Sequence, residues 1–264
     1  MILGLSSIIS FREGVKKALE IAKKLSVSHL DIFCAPKHFD IYASENVLRE
    51  LRDLADSLNM SLSLKAPAFT QNIASFNDYV RDLALKQYKR CIDLCAYLEC
   101  AFTTIRAGIF FYEERRKMAF ALKQLVENMN NILLYASKAG VNVLVENYYL
   151  PMDVVKRTRD LQRFVTFFSH FENFGIALNM AHLINVREKV SRVMHDKKVL
   201  EKIRAVYLGP PPTPWDTEYD LSKMDLVVKM TKQLFPKLRD RTWIVASIDS
   251  EIAKKLIRIL REFR

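Results

Sequence analysis

Glu146 is the residue whose type and position most directly allow chemistry. It closes the apolar run Val143-Leu144-Val145-Glu146, which follows an amphipathic stretch over Ala119 to Ala139 and the turn Ala139-Gly140. A strand ending in a carboxylate, in a chain that repeats strand then helix, is how a parallel barrel sets a reactive group at its open mouth. There a carboxylate serves as a general base or as an acceptor for ligand hydroxyls. The alternative is a structural partner for a neighbouring cation. His182 is its natural companion, because imidazole titrates near neutrality and can pass protons; a buried, hydrogen-bonded histidine is the competing reading.

The other strand ends extend this into a polar ring. Lys65, Arg106, Asn147, Asn179, Tyr207 and Ser247 lie at or near the ends of apolar runs, and the loop after the seventh run adds Asp216, Glu218 and Asp220. Burying Lys65 or Arg106 without a partner costs several kcal/mol. Either Glu146 and the loop acids neutralise them, or a bound anion does. Arg106 would grip such an anion through a bidentate fork and Lys65 as a point charge. The aromatics Phe110, Phe111, Tyr112, Tyr148, Tyr149 and Trp215 fall on the same side, either to stack on a ligand ring or to cover the rim. His38 is the one other histidine expected near the mouth.

Eight strand-helix units position these residues. Strands are expected at Ile2–Ser6, His29–Phe33, Ser61–Lys65, Phe102–Arg106, Asn142–Glu146, Gly175–Asn179, Arg204–Leu208 and Trp243–Ile248. The spacing predicts helices over Phe11–Leu25, Ser44–Leu58, Asn77–Leu98, Glu113–Lys138, Val154–Phe171, Val186–Lys202, Leu221–Leu234 and Glu251–Phe263. The first of these is expected to open with a capping box, Ser10-x-x-Glu13. Eightfold alternation with continuous apolar strands points to an α/β fold, a (β/α)8 barrel occupying residues 1–264 as one domain. A doubly wound open sheet is the runner-up, but the first strand-helix turn lacks a glycine-rich phosphate loop.

Composition narrows the class. The chain has 264 residues, of which 50% are hydrophobic, enough for one large core without linkers. No stretch approaches the ~18 continuous apolar residues of a membrane span, and the start lacks a basic region ahead of its apolar run, so a cytoplasmic protein is expected. The cysteines Cys34, Cys91, Cys95 and Cys100 read as small core residues instead of metal ligands or disulfides. The formal charge is +11, of which residues 1–132 hold +3 (18 against 15) and residues 133–264 hold +8 (23 against 15). A phosphate-bearing partner is one explanation and a solvated basic surface the other. In the last helix, Lys254, Arg258 and Arg261 form an outward basic stripe.

Several motifs resemble one known group. Lys65-Ala66-Pro67 followed by Gln71-Asn72-Ile73-Ala74-Ser75 is similar to the strand-three signature of the xylose isomerase-like barrels. That superfamily holds sugar (phosphate) isomerases and epimerases and apurinic-site endonucleases of the endonuclease IV type. Similarity continues through Cys91-Ile92-Asp93-Leu94-Cys95, Thr104-Ile105-Arg106-Ala107-Gly108, Val143 to Asn147, Ile176 to His182, and Val206-Tyr207-Leu208. Members hold one to three divalent metals on His, Glu and Asp at strand ends. By resemblance, Lys65 and Arg106 replace histidines, Asn179 an aspartate, Tyr207 a histidine and Ser247 a glutamate, and Asp216-Thr217-Glu218 aligns with an Asp-x-His. Protonated Lys and Arg offer no lone pair and repel a divalent ion. No cofactor is therefore expected, although Glu146, His182 and Asp216 leave one weakly held divalent metal open.

The expectation is a divergent, metal-independent barrel that binds a small anionic or phosphorylated sugar-like ligand. Glu146 and His182 would be catalytic. Lys65, Arg106, Asn72, Asn147, Asn179, Tyr207, Asp216 and Ser247 would contact the substrate. If active, it would act as an isomerase or epimerase by proton transfer next to a carbonyl. Two alternatives stay open: a nucleic-acid-binding relative of the endonucleases without their metals, and a non-catalytic scaffold barrel. Oligomeric state is not legible.

Overall fold

A computed structural model describes residues 1–68, 71–111, 115–212 and 219–263. Eight parallel strands close into a barrel in sequential order: β1 (Ile2–Ser6), β2 (His29–Phe33), β3 (Ser61–Lys65), β4 (Thr103–Arg106), β5 (Val143–Glu146), β6 (Phe174–Asn179), β7 (Ile203–Leu208) and β8 (Thr242–Val245). The helices between them are α1 (Val15–Lys24), α2 (Glu45–Ser57), α3 (Asp78–Tyr97), α4 (Met118–Lys138), α5 (Thr158–Phe168), α6 (Met180–Asn185), α7 (Val190–His195), α8 (Lys197–Lys202), α9 (Met224–Leu238) and α10 (Ser250–Glu262). Among the described residues no helix is long and apolar enough to cross a membrane.

Strand periodicity sorts the core into two layers. Outward-facing strand residues such as Leu30, Ile32, Leu64, Ile105, Val145 and Ile176 pack under the apolar stripes of the helices. The barrel interior is smaller, with Phe102, Leu144, Ala177, Ala205, Tyr207 and Ile244 in one buried cluster. Burial of such side chains contributes roughly 25 cal/mol per Å² of apolar surface. The interior is also unusually polar for a packed barrel, with His29, Asp31, Ser63, Thr104 and Glu146 all nearly inaccessible.

Three local expectations are corrected. The capping box at Ser10 does not form: Ser7–Ser10 is a 3-10 turn, and Ser10 Oγ donates to the Gly14 carbonyl at 2.9 Å. Gly14, at φ 86°, then starts α1 at Val15; the left-handed backbone there is natural to glycine. The single helix expected over Val186–Lys202 is broken into α7 and α8, because Asp196 caps the second piece by accepting from Val199 N at 3.0 Å. Finally, β8 stops at Val245, which moves Ser247 off the strand into the following turn.

Candidate functional site at the barrel mouth

The pairing register sets the positions. Lys65 lies level with Phe33 and Thr104, Glu146 with Arg106 and Ala177, and Asn179 with Tyr207. Because side chains alternate, residues level with one another point to the same side, and these converge inside the barrel.

At the floor lies an ion pair. Lys65 Nζ is 2.8 Å from both Glu146 oxygens, and the two side chains are 14% and 0% exposed. Asn179 Nδ2 donates to Glu146 Oε1 at 2.8 Å, and His182 Nδ1 stands 3.8 Å from the same oxygen. Burial alone would raise the Glu146 pKa. The ammonium of Lys65, the nearby imidazole and the bonds from Lys65 and Asn179 outweigh it and hold the carboxyl below its ordinary range. Lys65 also sits over the Tyr207 ring at 4.6 Å and is 5.9 Å from that of Tyr148, within reach of cation–π attraction.

His182 is oriented from behind. Its Nδ1 is 2.7 Å from the Asn147 carbonyl, which can only accept, so this nitrogen carries the proton. Tyr148 and Tyr149 flank its ring at 4.9 and 5.0 Å. The cleft above the pair encloses about 300 Å³. Lys65, Asn179, His182 and Tyr207 line it, with aromatic walls from Phe11, Phe33 and Tyr148.

Other candidates are placed elsewhere, and the reasons are physical. Arg106, expected to hold an anion, does not line the cleft. Its Nε donates to Asp153 Oδ1 at 2.8 Å, Nη2 donates to the same oxygen, and Nη1 donates to the Ala68 carbonyl at 3.0 Å. Tyr148 covers it, 4.5 Å from the guanidinium carbon. Its counter-ion is thus an acid of the chain, one the sequence reading did not single out. Asn72, expected at the substrate, braces two loops: it donates to Ile109 O at 3.0 Å and accepts from Ala74 N and Ile109 N at 3.1 Å. Gly108 makes room for it, at φ 112°; a Cβ there would stand 2.5 Å from Asn72 Oδ1.

Asn147 likewise joins β5 to β6, accepting from Asn179 N at 2.7 Å and donating to its carbonyl at 3.1 Å. Ser247 is buried and turned toward Asp249, whose carbonyl it meets at 3.1 Å. His38 is held by Ser7 Oγ at 2.8 Å and Phe11 O at 3.1 Å. Tyr112, Trp215, Asp216 and Glu218 lie outside the described residues.

Asp31 is the buried interior acid below the cleft that sequence reasoning missed. It stands mid-strand within the apolar His29–Phe33 run, so strand ends could not reveal it; its alternation with His29 and Phe33 could have. Ser63 Oγ donates to Asp31 Oδ1 at 2.7 Å, and Ser63 is in turn 3.0 Å from His29 Nε2. Burial pushes the Asp31 carboxyl up to about 6, against the opposing pull of Ser63, Lys65 and Tyr207. Burial also pushes His29 down to about 4, so it is neutral at pH 7. Tyr207 connects this interior network to the floor, with its hydroxyl 3.2 Å from Thr104 Oγ1 and its ring under Lys65.

A closed eight-stranded parallel barrel with helices between the strands defines a (β/α)8 barrel, and its candidate site lies at the carboxyl ends of the strands. The chain belongs to the xylose isomerase-like TIM barrel family, whose profile matches residues 19–220. Solved structures with the same fold include a D-tagatose 3-epimerase-like protein, 18% identical, with a TM-score of 0.81 over 100% of this chain and 97% of that one. D-psicose 3-epimerase of Clostridium cellulolyticum H10, solved with D-tagatose, is 14% identical with a TM-score of 0.75 over 100% and 98%. A protein designated IOLI, solved with a zinc atom, is 15% identical with a TM-score of 0.73 over 100% and 96%. No functionally curated protein matches the sequence.

A divalent metal does not fit the described residues of the cleft; Asp216, the third candidate ligand, lies outside them. Among the described residues no three His, Cys, Asp or Glu side chains converge as a ligand set. The carboxylate that would anchor an ion already faces an ammonium at 2.8 Å on both oxygens. A second positive charge there would meet direct repulsion from Lys65, which has no lone pair to give while protonated.

Proposed function

We propose that the cleft binds a small sugar-like molecule through its hydroxyl and carbonyl oxygens, and that Lys65 fills the electrostatic role of a cation at its floor. The observation that carries this reading is the buried Lys65–Glu146 pair, whose ammonium lines an aromatic-walled cleft beside His182. Aromatic faces suit the apolar side of a sugar ring, while Lys65, Asn179 and His182 supply the few directional polar groups such sites use. The structural neighbours named for ketohexose epimerases support the same ligand class.

Charge refines the ligand. Arg106 is paired with Asp153, and Lys65 with Glu146, so the described floor carries no surplus positive charge. That favours an uncharged carbonyl sugar over the phosphorylated one expected from the sequence. The reaction these residues allow is an isomerisation or epimerisation. Glu146 lies under Lys65 and outside the described cleft lining, so it takes a proton from the carbon beside the carbonyl once the ligand's oxygen draws Lys65 away from it. Lys65 donates to the oxygen on which charge develops, and His182 assists the return of the proton.

D-tagatose and D-fructose are suitable probes. A saturable rise in Tm, lost in Lys65→Met, is expected, together with deuterium uptake from D2O at a carbon next to the ketone, lost in Glu146→Gln. Binding without deuterium uptake would leave a sugar-binding protein and remove the catalytic half of the proposal. No response to either sugar would remove both.

A further inference from the structure

Part of the charge surplus of the second half of the chain lies at a groove that shares no lining residue with the cleft. The groove lies where the start of α5 meets α7 and α8, and it encloses about 740 Å³. Its cations are Arg157, Arg159, Arg192, Lys197 and Lys198, all solvent-exposed, with His195 beside them.

Among the described residues only two acids line it, and both are engaged from within. Glu188 accepts from Thr158 Oγ1 at 2.9 Å and pairs with Arg192 at 3.3 Å. Asp196 caps α8 through Val199 N at 3.0 Å and accepts from Gln162. Arg159 and Lys197 reach neighbouring acids only at 3.8 and 3.9 Å, and exposed pairs of that length contribute little.

The basic stripe on α10 differs. There Lys254 pairs with Glu251 at 2.6 Å, Arg258 with Glu262 at 3.4 Å, and Arg261 donates to the Ser26 carbonyl at 3.0 Å. Positive charge is therefore only partly compensated at the groove, whereas two of the three stripe cations pair with acids of their own helix.

We propose that this groove binds the phosphates of an extended polyanion, as found in a nucleic-acid backbone or in inorganic polyphosphate. Among the described residues no aliphatic, phenyl, phenol or indole side chain lines it. The core of a protein–protein interface is rich in such side chains, and reading bases by stacking needs aromatic platforms. A site built from arginine forks and lysines suits phosphate oxygens and ignores sequence. Binding is then driven by counter-ion release. With Arg192 shared by Glu188, four cations are available, and a single strand would show a slope of log K against log salt of roughly −3, a loss of ~60-fold between 50 and 200 mM salt.

The test is fluorescence anisotropy of the full-length protein with labelled oligothymidylate and oligoadenylate over a salt series, with polyphosphate and polyglutamate as competitors. Saturable binding with that slope, equal for both oligonucleotides and lost in Arg157→Glu/Lys198→Glu, is expected. Lys254→Glu/Arg258→Glu should bind as the parent does. Circular dichroism melts of each variant separate lost binding from lost folding. Displacement at lower phosphate concentration by polyphosphate than by unlabelled oligonucleotide would assign the groove to the free polymer, and the reverse order to nucleic acid. Absence of binding at low salt, an equal loss in the α10 variant, or competition by polyglutamate as strong as by the phosphate chains would overturn the proposal.

Discussion

Replacing Asp31 by asparagine should stabilise the protein at neutral pH, and by an amount that grows with pH. Asp31 is fully buried, with a carboxyl raised from 3.8 to about 6. A carboxyl raised in the folded state is bound to its proton more tightly there than in the unfolded chain. Stability from this group is therefore highest below its unfolded value and falls as pH rises from about 4 to about 6. Two pKa units correspond to about 3 kcal/mol, the upper limit of the penalty at neutral pH. In Asp31→Asn the amide would carry no charge and could still accept from Ser63; imperfect geometry there costs about 1 kcal/mol. The net gain is then roughly 2 kcal/mol at pH 7 and turns into a net cost of about 1 kcal/mol at pH 4, where the charge penalty is gone.

His29 runs the other way. Its pKa is lowered from 6.5 to about 4, so its contribution is present above its unfolded value and lost as pH falls through that window. In the parent the two slopes oppose each other between about pH 4 and 6; the variant should lose the Asp31 slope and keep that of His29. Urea melts of both proteins at several pH values in this range measure the difference. A stability difference independent of pH, or one that shrinks as pH rises, would refute the assignment of a charged, desolvated carboxylate to the barrel interior at neutral pH.

The Lys65–Glu146 pair should show strong coupling. Lys65→Met or Glu146→Leu alone leaves one buried charge without its partner and should cost ~3–5 kcal/mol, whereas the double variant should be less destabilised than the sum; chemical denaturation reads the cycle. Arg106→Ala should lose a comparable ~3–5 kcal/mol, because it strands the carboxylate of Asp153, which is 1% exposed. In refolded Arg106→Ala protein at low temperature, sugar affinity should change far less than stability, since the guanidinium stands outside the cleft; isothermal calorimetry with D-tagatose checks this.

How much could be read in advance differs by residue. Strand ends are marked in sequence where an apolar run meets a polar residue, so Lys65, Glu146, Asn179 and Tyr207 could be placed at one mouth before any coordinates. What periodicity cannot supply is which acid meets which base. Arg106 needed a counter-ion, but Asp153 lies beyond the Pro151 turn, where no strand or helix pattern points. Asn72 and Asn147 looked available for a ligand because side-chain amides past strand ends are polar; Asn72 is occupied by backbone groups of neighbouring loops and Asn147 by the backbone of Asn179 at the end of β6, a long-range satisfaction invisible locally. Ser247 was misplaced for a simpler reason, since Ile248 extends the apolar run past the true end of β8.

The central claim is that an internal ammonium occupies the floor of this cleft in place of a divalent ion. Titration calorimetry of the metal-stripped protein with manganese and with zinc, backed by elemental analysis after dialysis, tests it directly. The expected result is no stoichiometric, saturable binding that depends on Glu146. One equivalent of either ion, bound tightly by the parent and lost in Glu146→Gln, would contradict it.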